Sequence, residues 1–316
     1  MISMLLAASA LAAADMPAPI RVRAFPGLGE NGLEIGCMTM VSGHVLFGPE
    51  AFGGYSGMHL DEEQKKLTLL SDRAHLLFAD VEISDEGEVV SLSNGVMREM
   101  GFAAREIRPV RDTEALIGAD GGFFVSRERR QDLVMVEVDD LRAEAVRIEM
   151  NFGVVDGVEG NGGYEGVTAL PGGGYVAIPE TVFAGGLSPV VIAKDGIAAA
   201  SGFHKPRDEH AVTDLSVDDQ GETLLILERA YSRAKGPRAR IAAVPVGELG
   251  SGATDVLPAE ELGRLTFLDG ADNMEGMTFF RAKNGAPHLL LISDDNHNDI
   301  QRTVLMSLRL NESCPL

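Results

Sequence analysis

The sequence predicts an all-β chain folded as a β-propeller of five blades, with a degenerate sixth as the alternative count. Three features carry that expectation: short apolar and β-branched runs bounded by turns, abundant glycine (37 in 316 residues) and an internal repeat. The repeat starts at a small or acidic residue, runs through a short strand, a glycine or charged turn and a second apolar strand, and ends in a charged cluster. Its copies begin at Ser56 ("YSGMHLDEEQKKLTLLSDR"), Glu114 ("TEALIGADGGFFVSRER"), Glu165 ("YEGVTALPGGGYVAIPE"), Asp214 ("TDLSVDDQGETLLILER") and Glu275 ("MEGMTFFRAKNGAPHLLLISDD"). They recur roughly every 50 to 60 residues, enough for the four strands of a propeller blade, without the 3.6-residue period of a helical solenoid. A pair of β-sandwiches, the competing fold, leaves the repeated anchors unexplained.

Taken in order, "MISMLLAASALAAADMP" resembles the apolar core and small-residue end of a secretory leader, although a basic start is missing. The expectation is a signal peptide over residues 1–15, then a single propeller domain over 16–316, located in the periplasm or secreted. A helical or disordered tail is the alternative, and no segment is long and apolar enough to span a bilayer. "IRVRAFP" (residues 20–26) is expected to join the last blade as its missing outer strand and so close the ring. Cys37 and Cys314, one near each end, are either a bridge that ties the termini or two unrelated buried thiols. The net charge of −21 argues against nucleic acid or an anionic membrane as partner. A monomer acting on a small molecule is expected.

In a propeller the inner strands line the axis, so Ser56, Glu114, Glu165, Asp214 and Glu275 should converge near one mouth. The ends of the second strands should form another ring: Asp72-Arg73, Arg127-Glu128-Arg129, Glu180, Glu228-Arg229 and Asp294-Asp295-Asn296. Converging carboxylates repel and raise one another's pKa unless a cation intervenes, and all-oxygen ligands suit Ca²⁺ or Mg²⁺. The candidate calcium ligands are Glu165, Asp214, Glu275, Glu180 and Glu228. Asp72, Arg73, Arg229, Asp294 and Asp295 are the candidate catalytic group, and Asn296, His297 and Arg302 the candidate substrate contacts. The competing reading makes the anchor acids acceptors for backbone N–H groups of the next blade, and the rim charges ordinary surface ion pairs.

Other motifs carry little. "GLGENG" (27–32) precedes "LEIGCMTM", which reads as a strand and not as the helix of a dinucleotide fold. "GYSGM" lacks the second glycine of a nucleophile elbow, so Ser56 is better read as a small residue at a tight blade start. "DDNHND" lacks EF-hand spacing, and the seven histidines never cluster as zinc ligands would.

"GGYSGM…LTLLSDR", "GYEGVTALPGGGYVAIPE", "LLILERAYS…RIAAVPV" and "NMEGMTFF…LLLISDDNHNDIQRTVLMSLRL" resemble the phytase-like propeller family, esterase-like activity of phytase. The likeness runs from about Phe52 to Leu310 and is most specific at Ser71-Asp72-Arg73, at Glu228, Arg229 and Ser232, and at Ser293-Asp294-Asp295-Asn296. It implies an exported bacterial propeller with phosphoesterase or esterase activity. The sequence departs from the family's pattern where Ala-Leu replaces Glu-Gly after Glu114, and "SRERRQD" is charge-dense where a Ser-Glu-Asp-like turn is expected. Blade two is therefore expected to contribute less to any metal site. Two functions remain open: a metal-dependent hydrolase of small phosphate esters, or a non-catalytic propeller whose rim binds a ligand or partner.

Overall fold

A computed structural model describes residues 15–26, 28–29, 31–102, 112–140, 142–158, 162–250, 252 and 254–316. The leader expected over residues 1–15 lies outside these except for Asp15, and so does Gly27 of the "GLGENG" stretch. The chain is all-β, with only three short 3₁₀ turns besides strands among the described residues.

The strands fall into antiparallel four-stranded meanders, because each apolar run is followed closely by a Gly, Asn or Asp turn. The first comprises Tyr55–Asp61, Lys66–Ser71, His75–Ile83 and Val89–Phe102, and the second Thr113–Ala119, Gly122–Arg127, Asp132–Val138 and Ala143–Asn151. The third is Gly166–Ala169, Tyr175–Ile178, Ser188–Lys194 and Ile197–His204; the fourth is Ala211–Val217, Thr223–Ser232, Gly236–Pro245 and Glu260–Thr266. Asn273–Arg281, Pro287–Asp294 and Thr303–Leu310 form the fifth, which takes Met38–Phe47 as its outer strand. Val89–Phe102 is long enough to pair, in parallel, with the outer strand of the second meander as well.

The strand that completes the last meander is therefore N-terminal, as expected, but is not the 20–26 segment. Arg21–Ala24 pairs one position further out, on the free edge of Met38–Phe47. Met38–Phe47 is the better candidate physically: eight of its ten residues are buried, whereas Arg21–Ala24 is mostly exposed. Cys37 and Cys314 are bridged, with Cα atoms 5.2 Å apart, at the end of this seam. Asp15 also belongs to the fold, since its carboxylate accepts bonds from Arg98 Nε and Nη2 at 2.6 and 2.9 Å.

Apolar side chains from both faces of each meander fill the layers between neighbours, as Leu289–Ile292 shows with four consecutive fully buried residues. A propeller strand is packed on both faces, so alternation of polar and apolar residues is lost there. Near the axis the inner strands touch directly. A Cβ on Gly57 would lie 2.4 Å from the Glu114 carbonyl, and one on Gly276 would meet Gly57 backbone at 3.3 Å. At Gly57 and Gly276, glycine after the anchor is thus required by close backbone approach.

Candidate active site at one end of the propeller axis

All the anchor and rim residues lie on one face, where inner strands begin and second strands end. Register decides which of them look into the axial well. Asp72, Glu128, Arg229 and Asp294 take matching positions near the ends of their second strands, and Glu180 lies just past the third blade's. Side chains alternate along a strand, so the neighbour before each points away. Arg127 accordingly turns into its own blade and is locked to Asp132, Nε to Oδ1 at 2.8 Å and Nη2 to Oδ2 at 2.6 Å.

The same alternation corrects the assignment of Glu228. It is fully buried away from the well, 2.6 Å from both His204 Nε2 and Arg240 Nη1. Burial is the largest influence on its pKa, but the bonds and charges of His204 and Arg240 outweigh it and lower the value. Glu228 is a core ion-pair residue and not a candidate ligand.

Asp214 is also redirected. Its Oδ1 accepts the Leu215 N–H at 2.8 Å and its Oδ2 the Met277 N–H at 2.6 Å, across to the next blade. Ser56 makes a comparable link between the first and second blades, donating its hydroxyl to the Thr113 carbonyl at 2.6 Å. These two anchors tie inner strands together.

What converges in the well is a set of acids around one guanidinium. Glu128, Glu165 and Glu180 can place one oxygen each within 4.8 Å of one another, and Asp112, Glu114 and Glu128 can do the same. Glu128 is common to both groups. It sits in a 3₁₀ turn, Glu128–Arg130, closed by Gln131 in the left-handed conformation, and accepts the Gly163 N–H at 3.2 Å. The second blade, expected to contribute least, supplies Asp112, Glu114 and Glu128. The charge density of "SRERR" reflects three separate duties: Arg127 in the core, Glu128 in the well and Arg129 on Asp112.

Arg229 bridges the third and fifth blades: Nη2 donates to Glu180 Oε1 at 2.9 Å, Nη1 to Asn273 Oδ1 at 3.1 Å, and Nε lies 2.9 Å from Glu275 Oε1. Glu275 also accepts from Asn273 Nδ2 at 2.6 Å. The charge of Glu275, then those of Glu165, Glu180 and Asp294, raise the Arg229 pKa against the effect of burial.

One cation does not balance this well. Burial pushes Glu114 far above the carboxylate range, aided by the charges of Glu275, Glu128, Asp112 and Asp72. Glu165 is raised in the same way by burial and by Glu275, Glu180 and Glu114, and its Oε2 is buried without a hydrogen-bond partner among the described residues. Burial raises Glu275 too, with Asp294 and Glu180 adding to it and Arg229 opposing. Glu128 and Asp294 are each lifted to about 7, chiefly by burial.

The "SDDNHND" segment divides between turn chemistry and the well. Asp294 Oδ1 accepts the Asn296 N–H at 2.5 Å, and Asp295 Oδ1 accepts the His297 and Gly54 N–H groups at 3.0 Å each. Asp295 Oδ2 also accepts the Thr303 hydroxyl at 2.9 Å. Asn296 and His297 both adopt positive φ, which Asx-type bonds support. Asp295 and Asn296 therefore build the turn, and Asp294 faces the well. His297 Nε2 is buried 4.0 Å from Asp72 Oδ1, and Gly54 leaves room for that approach. Arg73 is exposed at the rim, and Arg302 is held by Asp272 at 3.2 Å over the Phe267 ring. Of the residues expected to contact substrate, His297 brings its side chain beside a well acid, Asp72, and Asn296 meets Asp294 only through its backbone N–H.

No curated protein matches the chain. Among solved structures, it resembles the PQQ-bound aldose sugar dehydrogenase of Streptomyces coelicolor at 12% identity and TM-score 0.46, covering 92% of this chain and 99% of that one. It also resembles a Dyadobacter fermentans protein of unknown function at 11% identity and TM-score 0.47, covering 87% and 99%. The WD40 domain of Neurospora crassa Pan2 matches at 9% identity and TM-score 0.38, covering 84% and 92%. At such distances these likenesses carry no argument about chemistry. The sequence profile of the phytase-like family, esterase-like activity of phytase, matches residues 50–297, and the chain belongs to that family.

Proposed function

We propose that the axial well binds a divalent cation, calcium by its oxygen ligands, and hydrolyses a small phosphate ester outside the cytoplasm. The observation that carries this reading is the pair of carboxylate groups sharing Glu128, with Glu165 Oε2 buried and unpartnered beside them. Glu128, Glu165 and Glu180 would hold the ion, with Glu114 and Asp112 as the adjoining group. All-oxygen donors fit a hard cation and offer nothing to a soft one. Bound there, the ion supplies positive charge against a phosphoryl oxygen.

The chain's own residues do the rest. Arg229 presents a planar fork of N–H donors suited to an anionic oxygen. Asp294, with a pKa near 7, can hold a proton at neutral pH and give it to a leaving oxygen, or take one from an incoming nucleophile. His297, beside Asp72, is the second group placed to move a proton. Export is supported by the Cys37–Cys314 bridge, since disulfides persist in oxidising compartments.

The non-catalytic alternative has its own support in Asp214 and Ser56, which show that some of the anchor ring is structural. A panel of chromogenic phosphate and carboxyl esters, with Ca²⁺ or EDTA, separates the two. The enzyme reading expects Ca²⁺-dependent turnover of a phosphomonoester that Glu165→Gln abolishes. No turnover of any ester under any condition leaves the binding reading.

A further inference from the structure

The fourth blade carries a second polar site, outside the acid well and opposite to it in charge. Its rim forms a cleft of about 600 Å³ lined by His210, Lys235, Arg238 and Arg264, with Asp208 and Glu209 as the acids. Asp208 is occupied by Arg264, whose Nε and Nη2 are in turn held by Glu261. Arg238 is different: its Nε and Nη2 are both buried without an acceptor among the described residues. Those two atoms form one edge of the guanidinium, the edge that takes an oxyanion side-on through two parallel bonds. Leaving such donors buried and unpaired is costly, so an acceptor is expected there.

His210 supplies the second observation. It is 4% exposed, its Nδ1 donates to the Arg207 carbonyl at 2.5 Å, and its Nε2 is buried without a partner among the described residues. With the proton fixed on Nδ1, Nε2 is an acceptor. Burial lowers the His210 pKa, and the nearby charges of Arg238 and Arg264 act in the same direction while Glu228 opposes them. The ring is thus neutral, and it asks for a donor where Arg238 asks for acceptors.

We propose that this cleft binds an oxyanion bearing one hydroxyl, of the monohydrogen phosphate type, with bare oxygens on Arg238 and its hydroxyl donating to His210 Nε2. Lys235, on the hairpin between Ser232 and Gly236, adds charge at the mouth. Sulfate has the same shape and charge but no hydroxyl, so the site discriminates against it. The ligand can be free phosphate or a hydroxycarboxylate, which shares both features.

The test is calorimetric titration of the full chain with inorganic phosphate, sulfate and lactate, in EDTA so that the acid well repels anions. Saturable phosphate binding is expected, with sulfate weaker by about tenfold or more, which is about 1.4 kcal/mol. Lactate binding comparable to phosphate identifies the hydroxycarboxylate as the source; lactate failing while phosphate binds identifies phosphate. Arg238→Lys, which keeps the charge and loses the fork, should weaken phosphate about tenfold. His210→Asn should bring phosphate and sulfate to within about twofold, and Glu128→Gln in the well should change neither. If Arg238→Lys does not fold, the exposed Lys235→Gln replaces it, with an expected two- to threefold loss. The proposal is overturned by equal affinity for phosphate and sulfate, by absence of saturable binding of all three ions up to about 10 mM, or by loss of binding in Glu128→Gln.

Discussion

Arg229 Nε stands 2.9 Å from Glu275 Oε1 while the other arm of the same guanidinium reaches Glu180, so one side chain of the fourth blade joins acids of its two neighbours. Removing it leaves those acids facing each other. Arg229→Gln should cost about 3 kcal/mol of stability, the scale for breaking a buried ion pair from one side. Urea unfolding at pH 7.5 in EDTA reads it. A change below about 0.5 kcal/mol would mean that the acids are compensated by something other than Arg229.

The raised acids give the ion-free protein an inverted pH dependence. Glu128 and Asp294 titrate near 7 in the folded chain and near 4 when unfolded, so between those values the folded state holds more protons. Stability then falls as pH rises from about 5 through 7. Lowered carboxylates, such as Asp15 bound to Arg98 and Glu261 near 2, act only below about 4.5, but His44, His59, His210 and His288, lowered chiefly by burial, oppose the trend below about 6.5. Above about pH 6.5 only the raised acids act, so melting in EDTA should be a few degrees higher at about pH 6.5 than at pH 8. Calcium should reverse the order, and a melting temperature flat from about pH 6.5 to 8 in EDTA would contradict the repulsive well.

Glu128→Gln tests the shared carboxylate with effects of opposite sign. Its amide oxygen can still accept the Gly163 N–H, so the turn survives and one charge leaves the well. The ion-free variant should melt higher than the parent at pH 8, while its calcium-induced shift shrinks to near zero. If the calcium shift is unchanged, any bound ion lies elsewhere.

Asp214→Asn distinguishes a blade tie from a ligand. An amide can satisfy only one of the two backbone N–H groups at Leu215 and Met277, and leaving the other unpaired costs about 1–3 kcal/mol. Chemical denaturation should show that loss, with the calcium response intact. Loss of the calcium response with stability unchanged would return Asp214 to the ligand set.

The repeat, the strand types and the face carrying the acids were legible in the sequence, because glycine spacing and apolar runs report close backbone approach and two-sided burial directly. The assignment of individual charges was not. Glu228 and Arg229 are adjacent letters, and which one enters the well depends on register that a one-residue slip reverses. The bulge between Val212 and Asp214 shifts that register in the fourth blade, and no residue type announces it. Glu128 was visible within a charged run, but its place beside Glu165 depends on the third blade approaching at Gly163. Asp214 and Glu275 look alike in the repeat and differ only in whether a neighbour's N–H groups reach them.

Met38–Phe47 and Thr303–Leu310 lie side by side in the fifth blade although more than two hundred residues of chain separate them. The fifth blade therefore cannot be completed until Thr303–Leu310 has been made. Until then, Met38–Phe47 carries buried-type apolar residues along an unpaired edge, open to association with other chains. Contacts of such sequence span form slowly. In a newly made molecule Thr303–Leu310 is what ends that vulnerability, and Cys314, just beyond it in the chain, is bridged to Cys37 just before its partner strand. Oxidation thus ties together the two strands of the fifth blade that lie furthest apart in the chain.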